Sequence, residues 1–336
     1  MKKFIYMFGT FVLGAALFIG CGSEATPIEN GADKVSVVCT TFPQYDWVRN
    51  LLGDAAEGFE VSLLVKNNAD IHNYQPSAQD MIAIKEADLL LYVGGESDAW
   101  VEDIMKADDA IYDKSVSLVA ALGDEALVEE IVEGMEHDHG HEDGYHHEPG
   151  EEHIYDSETL DEHVWLSLEN AEILCQYISG RLQELAPDEA GVIAENTVTY
   201  VNELHELGVE YQKVVDESAH NTLIFGDRFP FRYLTEDYEL EYYAAFAGCN
   251  AEVEAGFDTI IGLANKADEL KVPCILVLDG SDKKLAEAIL NAAEDGEKEI
   301  LVLDSMQSVS WEDILQGANY LDIMRTNLQV LCKALG

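Results

Sequence analysis

Six of the ten histidines in this 336-residue chain (His137, His139, His141, His146, His147 and His153) fall in one stretch of Asp, Glu and Gly. The stretch has almost no apolar residues, so it cannot bury a core and reads as a loop. Imidazoles interleaved with carboxylates are ligands for a borderline-soft divalent metal, zinc above all. An ordinary acidic linker would share the composition; a purification tag would be a contiguous run at a terminus, which this is not. Four single residues stand where a parallel α/β protein presents ligands, near the carboxyl ends of strands. His72 follows the apolar run Glu60–Val65, and His163 precedes a helix that begins at Leu168. Asp227 directly follows Thr222–Phe225, and Asp304 directly follows Ile300–Leu303. Two come from each half, so halves that face each other would let them converge on one ion. Each has an ordinary alternative: a solvated or hydrogen-bonding His for the first two, turn chemistry for the two Asp residues.

The elements that must position these residues follow from hydrophobic periodicity. Short apolar runs at Val35–Cys39, Glu60–Val65, Leu89–Val93 and Val116–Val119 alternate with helical stretches near Gln44–Leu52, Ala78–Lys85 and Ala99–Lys106. The second half repeats the alternation, with strands at Thr222–Phe225, Leu240–Phe246, Cys274–Leu278 and Ile300–Leu303 and helices near Phe257–Leu270, Lys284–Ala293 and Ala318–Ala334. Such alternation predicts parallel sheets covered by helices. The acidic His-rich segment, about residues 124–156, interrupts the first half. A helix near Leu168–Leu185 ends at Ala186-Pro187, and a second spans about Asp188–Glu217. In the second, Ile193, Tyr200, Leu204, Leu207, Tyr211 and Val215 keep one stripe facing a partner. Thirty residues make a rod about 45 Å long. The reading is α/β: two lobes with mostly parallel sheets, residues 34–187 and 218–336, joined by one long helix over 188–217, with the metal site in the interlobe cleft.

Lys2 and Lys3 followed by apolar Phe4–Ile19 form a processing segment too short to span a bilayer comfortably. Leu17-Phe18-Ile19-Gly20-Cys21 resembles the lipobox of bacterial lipoproteins, with Phe18 in place of the usual Leu. Residues 1–20 are then a signal peptide, and a lipidated Cys21 with the polar tether 21–33 anchors an exported protein to the outer face of the cell membrane. The remaining chain, 48% hydrophobic overall, suffices for a sizeable core. Its 66 Asp and Glu against 19 Lys and Arg, a net charge of −47, make nucleic acid a poor partner and a direct anionic-lipid patch equally so. Beyond Cys21, the cysteines Cys39, Cys175, Cys249, Cys274 and Cys332 show no CxxC spacing. An exported location permits one disulfide, with Cys249 and Cys274 nearest in sequence, but buried small apolar side chains are the simpler reading.

Asp70-Ile71-His72-Asn73-Tyr74-Gln75-Pro76 resembles the "D-P-H-x-Y-x-P" ligand motif of the zinc- and manganese-binding lipoproteins that serve ABC importers, the cluster A-I solute-binding proteins. Asp161-Glu162-His163-Val164-Trp165-Leu166 resembles their "D-x-H-x-W-L" motif, and Asp304 their last ligand. The resemblance extends over nearly the whole mature chain and includes the His-rich loop typical of the zinc members. It implies a non-enzymatic binding protein that captures zinc, with manganese as the alternative, and delivers it to a permease with its ATPase. It also implies local loop changes on metal binding rather than a wide hinge closure. One position departs: alignment on Phe231-Arg232-Tyr233 puts Arg228 where the family has its third ligand, and a guanidinium cannot ligate a metal. Asp227 is the nearest substitute, with Glu252, Glu254 and Asp279 as others; His220 precedes its strand and lies at the wrong end. Competing readings are a zinc hydrolase with Glu162 as general base, although neither HExxH nor GxSxG occurs, and a surface adhesin or metal buffer. Neutral imidazole ligands require affinity to fall below roughly pH 6.

Overall fold

Alternate residues along each strand point to opposite faces, and here the two faces of each sheet join different cores. The computed structural model describes residues 34–66, 71–132, 134–135, 159–248, 255–295 and 298–336. The processing segment, Cys21, Asp70, the six clustered histidines, Cys249, Glu252 and Glu254 lie outside the described residues. In the first lobe the elements run β1 (Val35–Cys39), α1 (Phe42–Leu52), β2 (Phe59–Leu63), α2 (Ala78–Glu86), β3 (Leu89–Tyr92), α3 (Ala99–Ala107), α4 (Asp109–Tyr112), β4 (Ser115–Ser117) and α5 (Leu118–Leu122). Next come α6 (Leu168–Leu185) and the long α7 (Ala190–Glu217). The second lobe contains β5 (Thr222–Phe229), α8 (Arg232–Asp237), β6 (Glu241–Ala247), α9 (Phe257–Leu270), β7 (Cys274–Leu278), α10 (Lys284–Ala292), β8 (Glu299–Leu303), α11 (Trp311–Leu315) and α12 (Tyr320–Leu335).

Both sheets are parallel and four-stranded with the same order, β2-β1-β3-β4 and β6-β5-β7-β8. On one face of the first sheet, Val37, Cys39, Leu89 and Leu91 enter a large core shared with Leu223, Phe225, Cys274 and Leu276 of the second sheet. The opposite faces are covered separately: Val38, Leu90 and Tyr92 pack with Ile84 and Val101, while Ile224, Ile275 and Val277 pack with Leu263 and Ile289. The shared core makes residues 34–336 one unit. At 28 residues, α7 is about 42 Å long and buries Ile193, Thr197, Tyr200, Leu204, Leu207 and Tyr211 against that core. This is the stripe read from the sequence, with Thr197 filling its gap and Val215 only partly buried.

Three local expectations change. The strand expected over Val116–Val119 stops at Ser117, whose hydroxyl accepts from the Ala120 amide and caps α5. The cap outweighs the β-branched pattern of the two valines. The strand expected to end at Phe225 continues through an irregularity to Phe229, because Arg228 and Phe229 pair again with Phe246 and Ala247. Asp227 therefore lies within β5 rather than after it. The last helix begins at Tyr320, not Ala318, because Asn319 caps it by accepting from the Asp322 amide. Cys39, Cys175 and Cys274 are buried thiols, and burial pushes Cys274 up to about 12.

Candidate metal centre

The two ends of the acidic segment are stitched together before the site begins. Val128 and Leu160 form an antiparallel bridge, the Glu129 amide donates to the Thr159 carbonyl at 2.9 Å, and the Asp161 amide donates to Leu127 at 2.8 Å. The Tyr233 hydroxyl donates to the Asp161 carbonyl at 2.8 Å and accepts from the Leu127 amide at 3.1 Å, tying this junction to α8. Asp161, Glu162 and His163 follow at once, all buried. His163 opens a 3-10 turn over Val164–Leu166. Its ring lies edge-on to Trp165 at 5.4 Å between centroids. The Trp165 indole donates to the Ser305 carbonyl at 2.9 Å, and Tyr320 donates to the Trp165 carbonyl at 2.6 Å. The turn is thereby held against the loop after β8.

His72 sits in a second 3-10 turn, Ile71–Asn73, anchored by buried Ile71 and followed by Ser77, which caps α2 through a reciprocal box with Asp80. The two imidazole centroids are 5.5 Å apart. His72, Glu162 and His163 each offer one ligand atom, all within 4.8 Å of one another; among the described residues they are the one group of this kind. His163 Nδ1 is 2.9 Å from Asp161 Oδ1, which also accepts the His163 amide at 2.8 Å. With Nδ1 donating to this carboxylate, Nε2 keeps its lone pair, and that buried atom has no hydrogen-bond partner among the described residues. Room for the ring comes from Gly248, where a Cβ would lie 2.9 Å from His163 Cε1 and 3.0 Å from the Phe229 carbonyl. His72 Nδ1 lies 3.0 Å from Glu162 Oε1 and 2.6 Å from Ser97 Oγ, and its Nε2 is 3.4 Å from the Gln307 amide nitrogen. Consecutive carboxylates thus face the Nδ1 atoms of the two imidazoles.

The charges follow. Burial raises the Glu162 carboxyl, but the His72 hydrogen bond, the positive potential of both imidazoles and Ser97 outweigh it and hold the group at about 2. Burial lowers His163, and the negative charges of Asp161, Glu162 and Glu129 outweigh that, leaving the imidazole above its ordinary 6.5. A buried imidazole nitrogen with no hydrogen-bond partner among the described residues, beside a second imidazole and an ionised carboxylate, is a donor set that suits a divalent cation.

Asp227 and Asp304 lie outside this group. Asp227 accepts from the Arg228 amide at 2.9 Å and the Leu278 amide at 3.3 Å, across the end of β7. Asp304 accepts from the Met306 amide at 2.8 Å, a local turn in which Met306 takes φ 59°, and its backbone is clasped by Asn327. Burial and neighbouring Asp279 push Asp304 up to about 6. Asp279 is itself occupied by Ser305 and Ser308. Asp227, Arg228, Asp279 and Gln307 line one polar cavity of about 360 Å³. His220 is bonded through its amide to Leu335, at the far end of β5 as expected. Glu162 as a member of the group, Ser97 and Gln307 were not read from the sequence as site residues. The adjacency of Glu162 to His163 was a signal for the first; nothing marked the other two.

A family model described as ZnuA, zinc-uptake complex component A periplasmic, matches residues 37–334. The zinc-binding lipoprotein AdcA of Streptococcus pneumoniae (strain ATCC BAA-255 / R6) is 28% identical over 333 residues, 98% of this chain and 60% of AdcA. The chain thus spans 60% of that relative's length. The high-affinity zinc uptake system protein ZnuA of Bacillus subtilis (strain 168) is 27% identical over 331 residues, 97% of each chain. Among solved structures, the Zn(II)-bound ZnuA-like domain of Streptococcus pneumoniae AdcA shares the fold with a TM-score of 0.67 at 24% identity, over 90% of this chain and 99% of that domain. The laminin-binding adhesin Lmb of Streptococcus agalactiae, in a mutant structure, shares it with a TM-score of 0.70 at 21% identity, over 90% and 100%. With the family match running from the first strand to the last helix, over the same pair of parallel sheets, the chain belongs to the ZnuA family.

Proposed function

We propose that this protein captures zinc outside the cell and delivers it to an ABC importer. The observation that carries the reading is the buried His163 Nε2, without a hydrogen-bond partner among the described residues, beside His72 and Glu162. In this reading His72 and His163 ligate through imidazole nitrogens, and Glu162 supplies negative charge. Asp304, from the second lobe, is the further ligand, with Asp227 as the alternative. Gln307, from the same loop as Asp304, already reaches His72. Manganese is the competing metal. The clustered histidines between 137 and 153 gather metal and pass it on; the described ends of that segment meet next to Asp161. The names of the relatives, a zinc-binding lipoprotein and a high-affinity zinc uptake protein, support export with a lipid anchor at Cys21 and a permease and ATPase as partners.

Hydrolysis fits poorly. A general base works best with a pKa near the operating pH, whereas Glu162 is held at about 2 with both oxygens engaged by Ser97. The test is zinc and manganese calorimetry on protein lacking the first 20 residues, comparing wild type, His72→Ala, His163→Ala and deletion of 137–153. One-to-one zinc binding that survives the deletion and falls by at least ~100-fold in either His variant is expected. Tight binding that disappears with the loop and ignores both substitutions would refute the cleft and favour a buffering role.

A further inference from the structure

The loop between β3 and α3 leaves the sheet at the switch point of the order β2-β1-β3-β4, between β1 and β3, where open α/β sheets bind ligands. Buried Asp98 folds it back: its Oδ2 accepts from the Val93 and Gly94 amides and lies 3.4 Å from the Thr40 hydroxyl. That turn presses the loop onto Glu162. A Cβ at Gly95 would stand 2.5 Å from Glu162 Oε2 and 2.9 Å from Glu162 Cβ, so only glycine permits the approach. Beyond Gly95, the Ser97 amide donates to Glu162 Oε2 at 3.1 Å, and the Ser97 hydroxyl donates to Oε1. The same hydroxyl oxygen lies 2.6 Å from His72 Nδ1. One residue therefore touches both carboxylate oxygens and one imidazole of the group.

The Ser97 amide holds Glu162 Oε2 and its hydroxyl holds Oε1, and with the hydroxyl in place the carboxylate cannot turn to present both oxygens to a metal. Zinc in a four-coordinate N/O site needs no more than one. Manganese favours octahedral coordination rich in oxygen, for which a freely turning, two-oxygen carboxylate is the better partner. We infer that the Ser97 hydroxyl sets the metal preference of this site, by keeping Glu162 from offering both carboxylate oxygens and so favouring four-coordinate zinc over manganese. The inference rests on the zinc reading above. Ser97 acts here as a positioning residue, through Glu162 and His72.

Zinc and manganese affinities of wild type, Ser97→Ala, Ser97→Thr and His163→Ala, together with the visible absorption of bound Co²⁺, test it. Ser97→Ala is expected to narrow the zinc-over-manganese ratio by on the order of tenfold. It should also weaken the strong absorption that marks four-coordinate cobalt, and Ser97→Thr, which keeps the hydroxyl, should restore both. A ratio unchanged in Ser97→Ala, with the two metals weakened alike or not at all and the cobalt spectrum intact, overturns the inference while leaving zinc binding at the site standing. Wild-type zinc affinity in His163→Ala would instead overturn the zinc reading, and the inference with it.

Discussion

In the first lobe, the strand ends and the loops that follow bring two imidazoles and a carboxylate within 4.8 Å of each other. The second lobe, with the same strand order, brings Asp227, Asp279 and Asp304 to its own rim, yet each is committed locally: to the Leu278 amide, to Ser305 and Ser308, and to the Met306 amide. The same topology thus yields one rim with a donor atom left over and one whose carboxylates mostly brace their own turns. Residue type at a strand end is therefore not sufficient for a ligand. What counts is whether a lone pair remains after the fold has met its own hydrogen-bonding needs, as at His163 Nε2. Asp304 stands between the two cases: Asp279 nearby and partial burial push it up to about 6, a cost that an approaching cation would relieve.

The sharpest way to break this comparison is to remove the group that frees the His163 lone pair. Asp161→Asn keeps the shape but replaces the charged acceptor at Nδ1, and zinc affinity measured by calorimetry should fall about 10- to 100-fold. An effect no larger than that of Asp227→Asn would abolish the asymmetry between the lobes. Acid is the next largest perturbation. His163 titrates above 6.5, so protons compete for it at higher pH than for an ordinary imidazole. Zinc affinity should fall at least about tenfold between pH 7.5 and 5.5 from this residue alone. For the metal-free protein the sign is opposite. A pKa raised on folding contributes stability that is fully present below 6.5 and lost as pH rises through the folded value. Thermal melts with and without zinc across this range should diverge as pH rises.

A smaller effect is expected at Gly248, where the Cβ of Gly248→Ala would meet the His163 ring and a backbone carbonyl. Denaturation should show a loss of about 1–3 kcal/mol, and calorimetry a several-fold weaker site; unchanged values would mean the ring has room to move. Asp227→Asn closes the series. Its carboxylate accepts two backbone amides that an amide oxygen can partly satisfy, so a change in zinc affinity below about twofold is expected. A loss comparable to that of Asp161→Asn would make Asp227 a ligand in place of the family's third.

Much of this is legible in the sequence. Strand and helix order and the buried stripe on α7 follow from period and spacing, because burial on one face imposes a regular pattern on the chain; the two His motifs stand out by their resemblance to a family's ligand motifs. Asp161-Glu162-His163 was visible as a motif, with Glu162 weighed only as a catalytic base. The extension of β5 to Phe229 was not visible, since it depends on pairing with Phe246 and Ala247. Nor was Ser97, which lies 65 positions from Glu162 and has no motif around it.

The sequence by itself determined which residues are capable of ligation and which faces are buried, because side-chain chemistry and local periodicity are properties of the chain. Only the tertiary structure decided which of those residues meet, which carboxylates are consumed by nearby amides, and which nitrogen keeps its lone pair. Those outcomes turn on contacts of a few ångströms between segments far apart in the chain, such as Gly95 against Glu162 and Gln307 against His72, and no local pattern encodes them.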